Sequence, residues 1–315
     1  MRGFLRKNKV KRHIHGEKEK RMYIYGVELL LWTEIFKREN ISLIGHAKEL
    51  GFDGVEIHLR YPDRLPAKEI KEALHEHGMD VSFVVIFTEE YNCLSDDSGV
   101  RKRSLEYFKR CIDVAQSITG GGCVIGGVNY APAGYITGRA RTEEEWERSV
   151  TNFREAARYA GERGITLAVE PINRFETYFL NTASDAFRFC RDVGEPNAKV
   201  HLDTYHMIRE EKSFYQAIVD TGPYLGFLHA CENDRGTPGT GLVQWDEVYR
   251  GLRDIDYTGW IVIESFVPDI EELARVCAVW RQLAPSADYL AGEGLKNLRS
   301  IAKKTANSNT GLSRM

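Results

Sequence analysis

Four short apolar runs in the second half of the sequence each end on an ionisable residue: LAVE at Glu170, VHLD at Asp203, GFLH at His229 and IVIE at Glu264. One polar residue at the end of a buried strand is ordinarily just solvated. Four in succession, three carboxylates and one imidazole, make a donor set suited to a divalent cation of the Mn²⁺, Mg²⁺ or Co²⁺ type. The residues after each run are polar too: Asn173, Arg174 and Glu176; then His206; then Glu232, Asn233, Asp234 and Arg235. A site so rich in hydrogen-bonding groups suits a polyhydroxylated ligand better than an apolar one. Arg174 and Arg235 read equally well as ion-paired loop anchors or as ligand contacts. His206 reads as a contact or as a buried, satisfied histidine. His46, His58, His75, His77 and His201 fall in helix or strand patterns without a matching cluster and are assigned structural places.

The elements that would carry these residues follow from periodicity. Short runs rich in β-branched and aromatic residues recur at 24–32, 55–59, 81–87, 123–128, 166–172, 199–202, 224–228 and 260–263, as strands buried on both faces do. Amphipathic segments separate them. The clearest starts at Thr142, which with Glu145 forms a capping box; Trp146, Val150, Phe153, Ala157 and Ala160 then recur at helical spacing, and Gly164 follows as a stop. Leu105, Phe108, Ile112 and Ala115 mark another helix, and 40–50, 66–77, 183–193, 213–221 and 245–255 fill further gaps. Strands alternating with helices pair in parallel, because parallel neighbours need crossovers, and eight such units close an α/β (βα)8 TIM barrel. An open doubly wound sheet is the competing architecture, but Gly120–Gly122 precede a strand instead of following one, unlike a phosphate-binding turn. Two additional C-terminal helices, 270–283 and 288–303, follow the last strand and are free to cover a barrel end or a partner subunit.

The formal charge of −3 is unevenly spread: residues 1–21 hold nine Lys/Arg and two Glu, and the remainder holds 34 basic and 44 acidic residues. An acidic body argues against a nucleic-acid groove, which needs clustered Lys/Arg. The division expected is a basic, disordered extension over 1–21, one barrel domain with its C-terminal helices over 22–303, and a flexible tail over 304–315. No apolar run reaches the ~18 residues of a membrane span, and Glu28 interrupts the run that follows the basic segment. Six scattered cysteines without a C-x-x-C pair fit reduced thiols in a cytoplasmic protein.

The runs VEPINRFETYFLNT (169–182), HLDTYHMIREE (201–211), HACENDRGTPGTG (229–241) and DYTGWIVIESF (256–266) resemble the ketose 3-epimerases, the D-tagatose and D-psicose (allulose) 3-epimerase group of the xylose-isomerase-like superfamily. The similarity spans Met22 to about Lys303 and is most specific in the second half. The resemblance implies epimerisation of a free ketose at C3, of the D-psicose/D-fructose or D-tagatose/D-sorbose type, through a metal-stabilised enediolate. It implies one divalent ion per chain, Mn²⁺ first and Co²⁺ or Mg²⁺ as alternatives, held by Glu170, Asp203, His229 and Glu264. Glu170 and Glu264 double as the acid–base pair, and Glu176, His206 and Arg235 fall where the family contacts the sugar. It also implies a homodimer or homotetramer. Two positions depart from the pattern: Glu28 stands where many members have an aromatic near the end of strand one, and Asn129–Pro132 lacks the tryptophan several members place there. Glu28 is therefore expected to meet the substrate.

Other readings stay in view. A relative acting on another sugar, such as L-ribulose, or an aldose–ketose isomerase would use the same carboxylates. An apurinic-endonuclease-like zinc nuclease needs three zinc ions and more histidine ligands. A non-catalytic sugar-binding protein would have no use for both Glu170 and Glu264.

Overall fold

Each of the short apolar runs is a strand in the computed structural model, which describes residues 22–308. In chain order they are β1 (Ile24–Glu28), β2 (Gly54–His58), β3 (Asp80–Val84), β4 (Val124–Gly126), β5 (Thr166–Val169), β6 (Ala198–Asp203), β7 (Leu225–His229) and β8 (Trp260–Ile263). Every strand pairs in parallel with its sequence neighbours, and β8 returns to β1 through Tyr25↔Ile261 and Val27↔Ile263, so the sheet closes into a barrel. The expected (βα)8 architecture is the one formed.

The crossover helices are α1 (Ser42–Glu49), α2 (Ala67–His77), α3 (Ser98–Thr119), α4 (Glu143–Gly161), α5 (Ala183–Val193), α6 (Thr204–Glu210), α7 (Phe214–Thr221) and α8 (Trp245–Asp254). The starts of α3 to α7 are set by side-chain oxygens that accept orphan N–H groups. Thr142 and Glu145 form the capping box of α4, and Thr182 and Asp185 form one on α5. Outward strand residues such as Val27, Val55, Ile57 and Leu167 pack with the helices' apolar faces into one large core.

Inward residues alternate with these and fill the barrel. At its lower end Ala168, Phe227, Trp260 and Val262 form a separate apolar cluster, with Ile24 and Val124 against it. Gly54 is required there: a Cβ would lie 2.5 Å from the Trp260 ring and 2.6 Å from the Asp80 carbonyl. One layer higher the inward positions become polar, which places the chemistry at the C-terminal ends of the strands.

The boundaries differ from expectation where the chain turns over the mouth. The first run stops being a strand at Glu28, and Leu29–Leu31 form a 3-10 turn. The helix expected over 270–283 is only α9 (Glu271–Val276): Ala278 adopts a left-handed backbone at φ 54°, and the Cys277 and Val279 N–H groups turn back onto Leu273 and Ala274. That hook seats Leu273 and Val279 on Leu30 and Phe266, so α9 covers the mouth. The last helix, α10 (Ala287–Ser308), runs past Lys303, so residues 304–308, expected in the tail, are helical, and the Arg253 guanidinium donates to the Thr305 carbonyl at 2.9 Å. The basic extension, 1–21, and the end of the chain, 309–315, lie outside the described residues. Among the described residues no helix is long and apolar enough to cross a membrane. All six cysteines are free thiols.

Candidate metal and active centre

Strand parity brings the four expected ligands to one place. Asp203 and His229 are the last residues of β6 and β7, paired in register; Glu170 and Glu264 are the first residues beyond β5 and β8. All four are buried. Ligand atoms of Asp203, His229, Cys231 and Glu264 lie within 4.8 Å of one another, as do those of Glu170, Asp203 and His206, and of Glu170, His201 and His229. Asp203 and His229 thus connect the two glutamates, one on each side.

Each side chain is held. Asp203 caps α6, accepting from the Tyr205 N–H at 2.8 Å, and its other oxygen accepts from the Arg235 guanidinium at 2.9 Å. Arg235 also donates to Glu264 and lies over the Tyr205 ring at 3.9 Å. It has a left-handed backbone, φ 64°, which costs a non-glycine residue roughly 1–3 kcal/mol; Ser265 Oγ donates to its carbonyl. His206, on α6, accepts at Nδ1 from the Asn173 backbone and faces Asp203 (3.6 Å) and Glu170 (3.8 Å) through Nε2. Asn173 in turn donates to Glu176 at 2.7 Å, which ties Glu176 to the same wall.

The electrostatics separate the two glutamates. Burial pushes the Glu170 carboxyl well above the usual range, with Glu264 and Asp203 adding to it. Burial also raises Glu264, but the Arg235 guanidinium and His229 outweigh it and hold Glu264 well below that range. Burial drives His206 and His201 down, so both are neutral. Two carboxyls whose proton affinities are driven apart are the arrangement that general acid–base exchange uses.

The donor set fits a divalent cation. His229 gives Nε2 to Glu56 of β2 at 2.7 Å, while its Nδ1 faces Glu264 at 3.4 Å and has no hydrogen-bond partner. A buried imidazole nitrogen left bare beside a carboxylate has the chemistry of a ligand position.

The remaining expected contacts separate cleanly. Arg174 is the ion-paired alternative: exposed, it binds Glu210 bidentately at 2.7 and 3.0 Å. Glu232 pins the loop after β7, accepting from the Gly239 and Val243 N–H groups and the Trp245 indole. Glu28 is fully buried beside the centre and neither of its oxygens has a partner among the described residues. His201 has structural contacts, as expected, but it lies beside the cluster and not apart from it, within 4.8 Å of Glu170 and His229 ligand atoms. It shares the inward face of β6 with Asp203, takes the Gly127 N–H on Nδ1 at 3.1 Å, and stacks edge-on against His229 at 4.1 Å. Gly127 permits this at φ 107°, where a Cβ would meet the Val85 carbonyl at 2.4 Å. Glu56 and Cys231 were missed. The signal for both was alternation: Glu56 and His58 stand two apart on β2, and Cys231 stands two beyond His229.

Residues 44–301 match the model of the xylose isomerase-like TIM barrel family. The chain is 32% identical to a probable ketose 3-epimerase of Synechocystis sp. over 87% of its length and 95% of the relative's. It is 32% identical to an L-ribulose 3-epimerase of Methylomonas sp. over 87% and 96%. A solved D-allulose 3-epimerase from Methylomonas sp. in complex with D-allulose superposes at a TM-score of 0.84, with 31% identity, covering 89% of this chain and 97% of that one.

Proposed function

This chain belongs to the xylose isomerase-like TIM barrel family and is an isomerase of the ketose 3-epimerase kind; we propose that it inverts C3 of a free ketose of the D-psicose/D-fructose or D-tagatose/D-sorbose type. The observation that carries this is the pair Glu170 and Glu264, buried on either side of Asp203 and His229. C3–H of a ketose is activated only by its neighbouring C2 carbonyl, so the proton must leave on one face and return on the other. One of the two glutamates, ionised, takes the proton from the C3 that faces it; the other, protonated at that moment, delivers one to the opposite face, and the roles reverse for the other epimer. Glu170, Asp203, His229 and Glu264 would hold one divalent ion, Mn²⁺ by preference with Co²⁺ or Mg²⁺ as substitutes. When bound, the ion supplies Lewis-acid polarisation of the carbonyl. Arg235 and His206 are neighbouring donors suited to sugar oxygens, and Glu176 and Glu28 are acceptors. Burial of Glu170, Asp203, His229 and Glu264 lowers the local dielectric and strengthens the charged contacts there.

We propose a homodimer or homotetramer, with Val276 and Trp280, 64% and 72% exposed on the segment after β8, as the candidate contact for a second copy. Light scattering on the full chain tests that. The function is tested by product analysis with D-fructose, D-psicose, D-tagatose and L-ribulose in the presence of Mn²⁺. A C3 epimer from one of the hexoses supports the reading. Turnover of L-ribulose alone moves the substrate to a pentose, and aldose products or three bound zinc ions per chain refute the epimerase.

A further inference from the structure

Glu56 sits on β2, away from the four strands that carry the candidate ligands, and the reaction above gives it no task. We infer that Glu56 is a positioning residue: it holds His229 by Nε2 so that Nδ1 is the nitrogen presented to the cation.

The distances favour one placement of the proton. Glu56 Oε2 and His229 Nε2 are 2.7 Å apart, and both residues are completely buried. A carboxylate only accepts, so the imidazole proton belongs on Nε2. A neutral imidazole has one N–H, and the lone pair then stands on Nδ1. That atom has no hydrogen-bond partner and faces Glu264, at 3.4 Å, inside the Asp203–His229–Glu264 group. A bare nitrogen facing Glu264 at 3.4 Å suits a shared cation, whereas a bare nitrogen 2.7 Å from Glu56 would be an acceptor opposite an acceptor with no room for an ion.

The ring plane is fixed from a second direction by His201, edge-on at 4.1 Å. Glu56 is itself placed by register, beside Glu28 of β1 and Ser82 of β3. A salt bridge meant only to tie β2 to β7 would not require a bare, inward nitrogen on the far side of the ring. Metal-ligating histidines generally donate their other ring N–H to a carboxylate, a backbone carbonyl or water, and loss of such a partner typically costs about 10- to 100-fold in metal affinity or activity.

The inference rests on the metal centre proposed above, and the test separates the two. The probe is Mn²⁺ alone, titrated calorimetrically into the full chain, with Glu56→Leu and Glu56→Gln beside the wild type. ¹⁵N spectra of histidine-labelled wild type, with His229 assigned by its loss in His229→Gln, report the tautomer directly. We expect an Nε2–H tautomer and Mn²⁺ affinity reduced about 10- to 100-fold in Glu56→Leu. In Glu56→Gln, whose amide oxygen still accepts, part of that loss should be recovered. An Nδ1–H tautomer in the wild type overturns the inference even if Glu56→Leu fails to fold. So does a folded Glu56→Leu that binds Mn²⁺ as tightly as the wild type. Wild-type protein that takes up no Mn²⁺ overturns the metal centre itself, and this role for Glu56 with it.

Discussion

Replacing Glu264 by Gln removes one of the two proton-transfer groups while keeping its size. The structure bounds the damage. Arg235 loses one carboxylate but keeps Asp203 at 2.9 Å and the Tyr205 ring at 3.9 Å, so no charge is stranded. Losing one charge-assisted hydrogen bond costs about 1.5–3 kcal/mol of stability, a fall of a few degrees in unfolding temperature in a chain of this size. Loss of the general base is expected to slow turnover about 10²- to 10⁴-fold, or about 3–5 kcal/mol of barrier. A two-base mechanism also makes a qualitative prediction. In D₂O, Glu264→Gln should still exchange the C3 hydrogen of the epimer that faces Glu170, without inverting it. Glu170→Gln should exchange only the other epimer. Proton NMR of recovered sugar reads both, and bound Mn²⁺ measured on the same samples shows whether the cation was retained. Unchanged turnover in Glu264→Gln, or equal exchange into both epimers with the cation still bound, would refute the division of labour between the two glutamates.

Glu28→Leu should raise the unfolding temperature, because it removes a buried carboxyl without partners worth about 1–3 kcal/mol, while raising KM for the preferred ketose tenfold or more; a less stable protein with unchanged KM would argue against a substrate contact. Glu145 is held at about 2 by Arg139, with the Thr142 N–H and Tyr178 hydroxyl assisting against burial. A depressed carboxylate stabilises fully above its ordinary value of 4.5 and less as pH falls towards 2. Glu145→Gln should therefore cost about 1–2 kcal/mol at pH 7, allowing for screening at the half-exposed Arg139, and the gap from wild type in urea unfolding should narrow below pH 4.5. A chain beginning at Met22 should keep full epimerase activity, since every residue of the centre lies beyond it; loss of turnover would assign the basic segment a part in the enzyme.

How much of this was legible in the sequence depended on distance along the chain. Thr142 and Glu145 announce α4 within four positions, and the run Ala183–Val193 is bounded by its own cap and glycine, so both helices are read correctly. Glu170, Asp203, His229 and Glu264 are visible because each ends an apolar run, and in a barrel the end of a run is where a side chain leaves the core. Glu28 is visible for a different reason: it lies inside the expected run 24–32 and stands out only by its departure from the family pattern. Inside a run the information is different. A strand buried on both faces hides its parity, since apolar residues stand on both sides, and His201 and Glu56 then read as polar intrusions in an apolar segment. Their meaning comes from which strand lies across the barrel, and that is decided only by closure. Glu56 meets His229 across 173 residues. The ligand layer is encoded locally at the strand ends; the layer that aims the ligands is encoded by strand order, so it becomes readable once β8 is known to pair with β1.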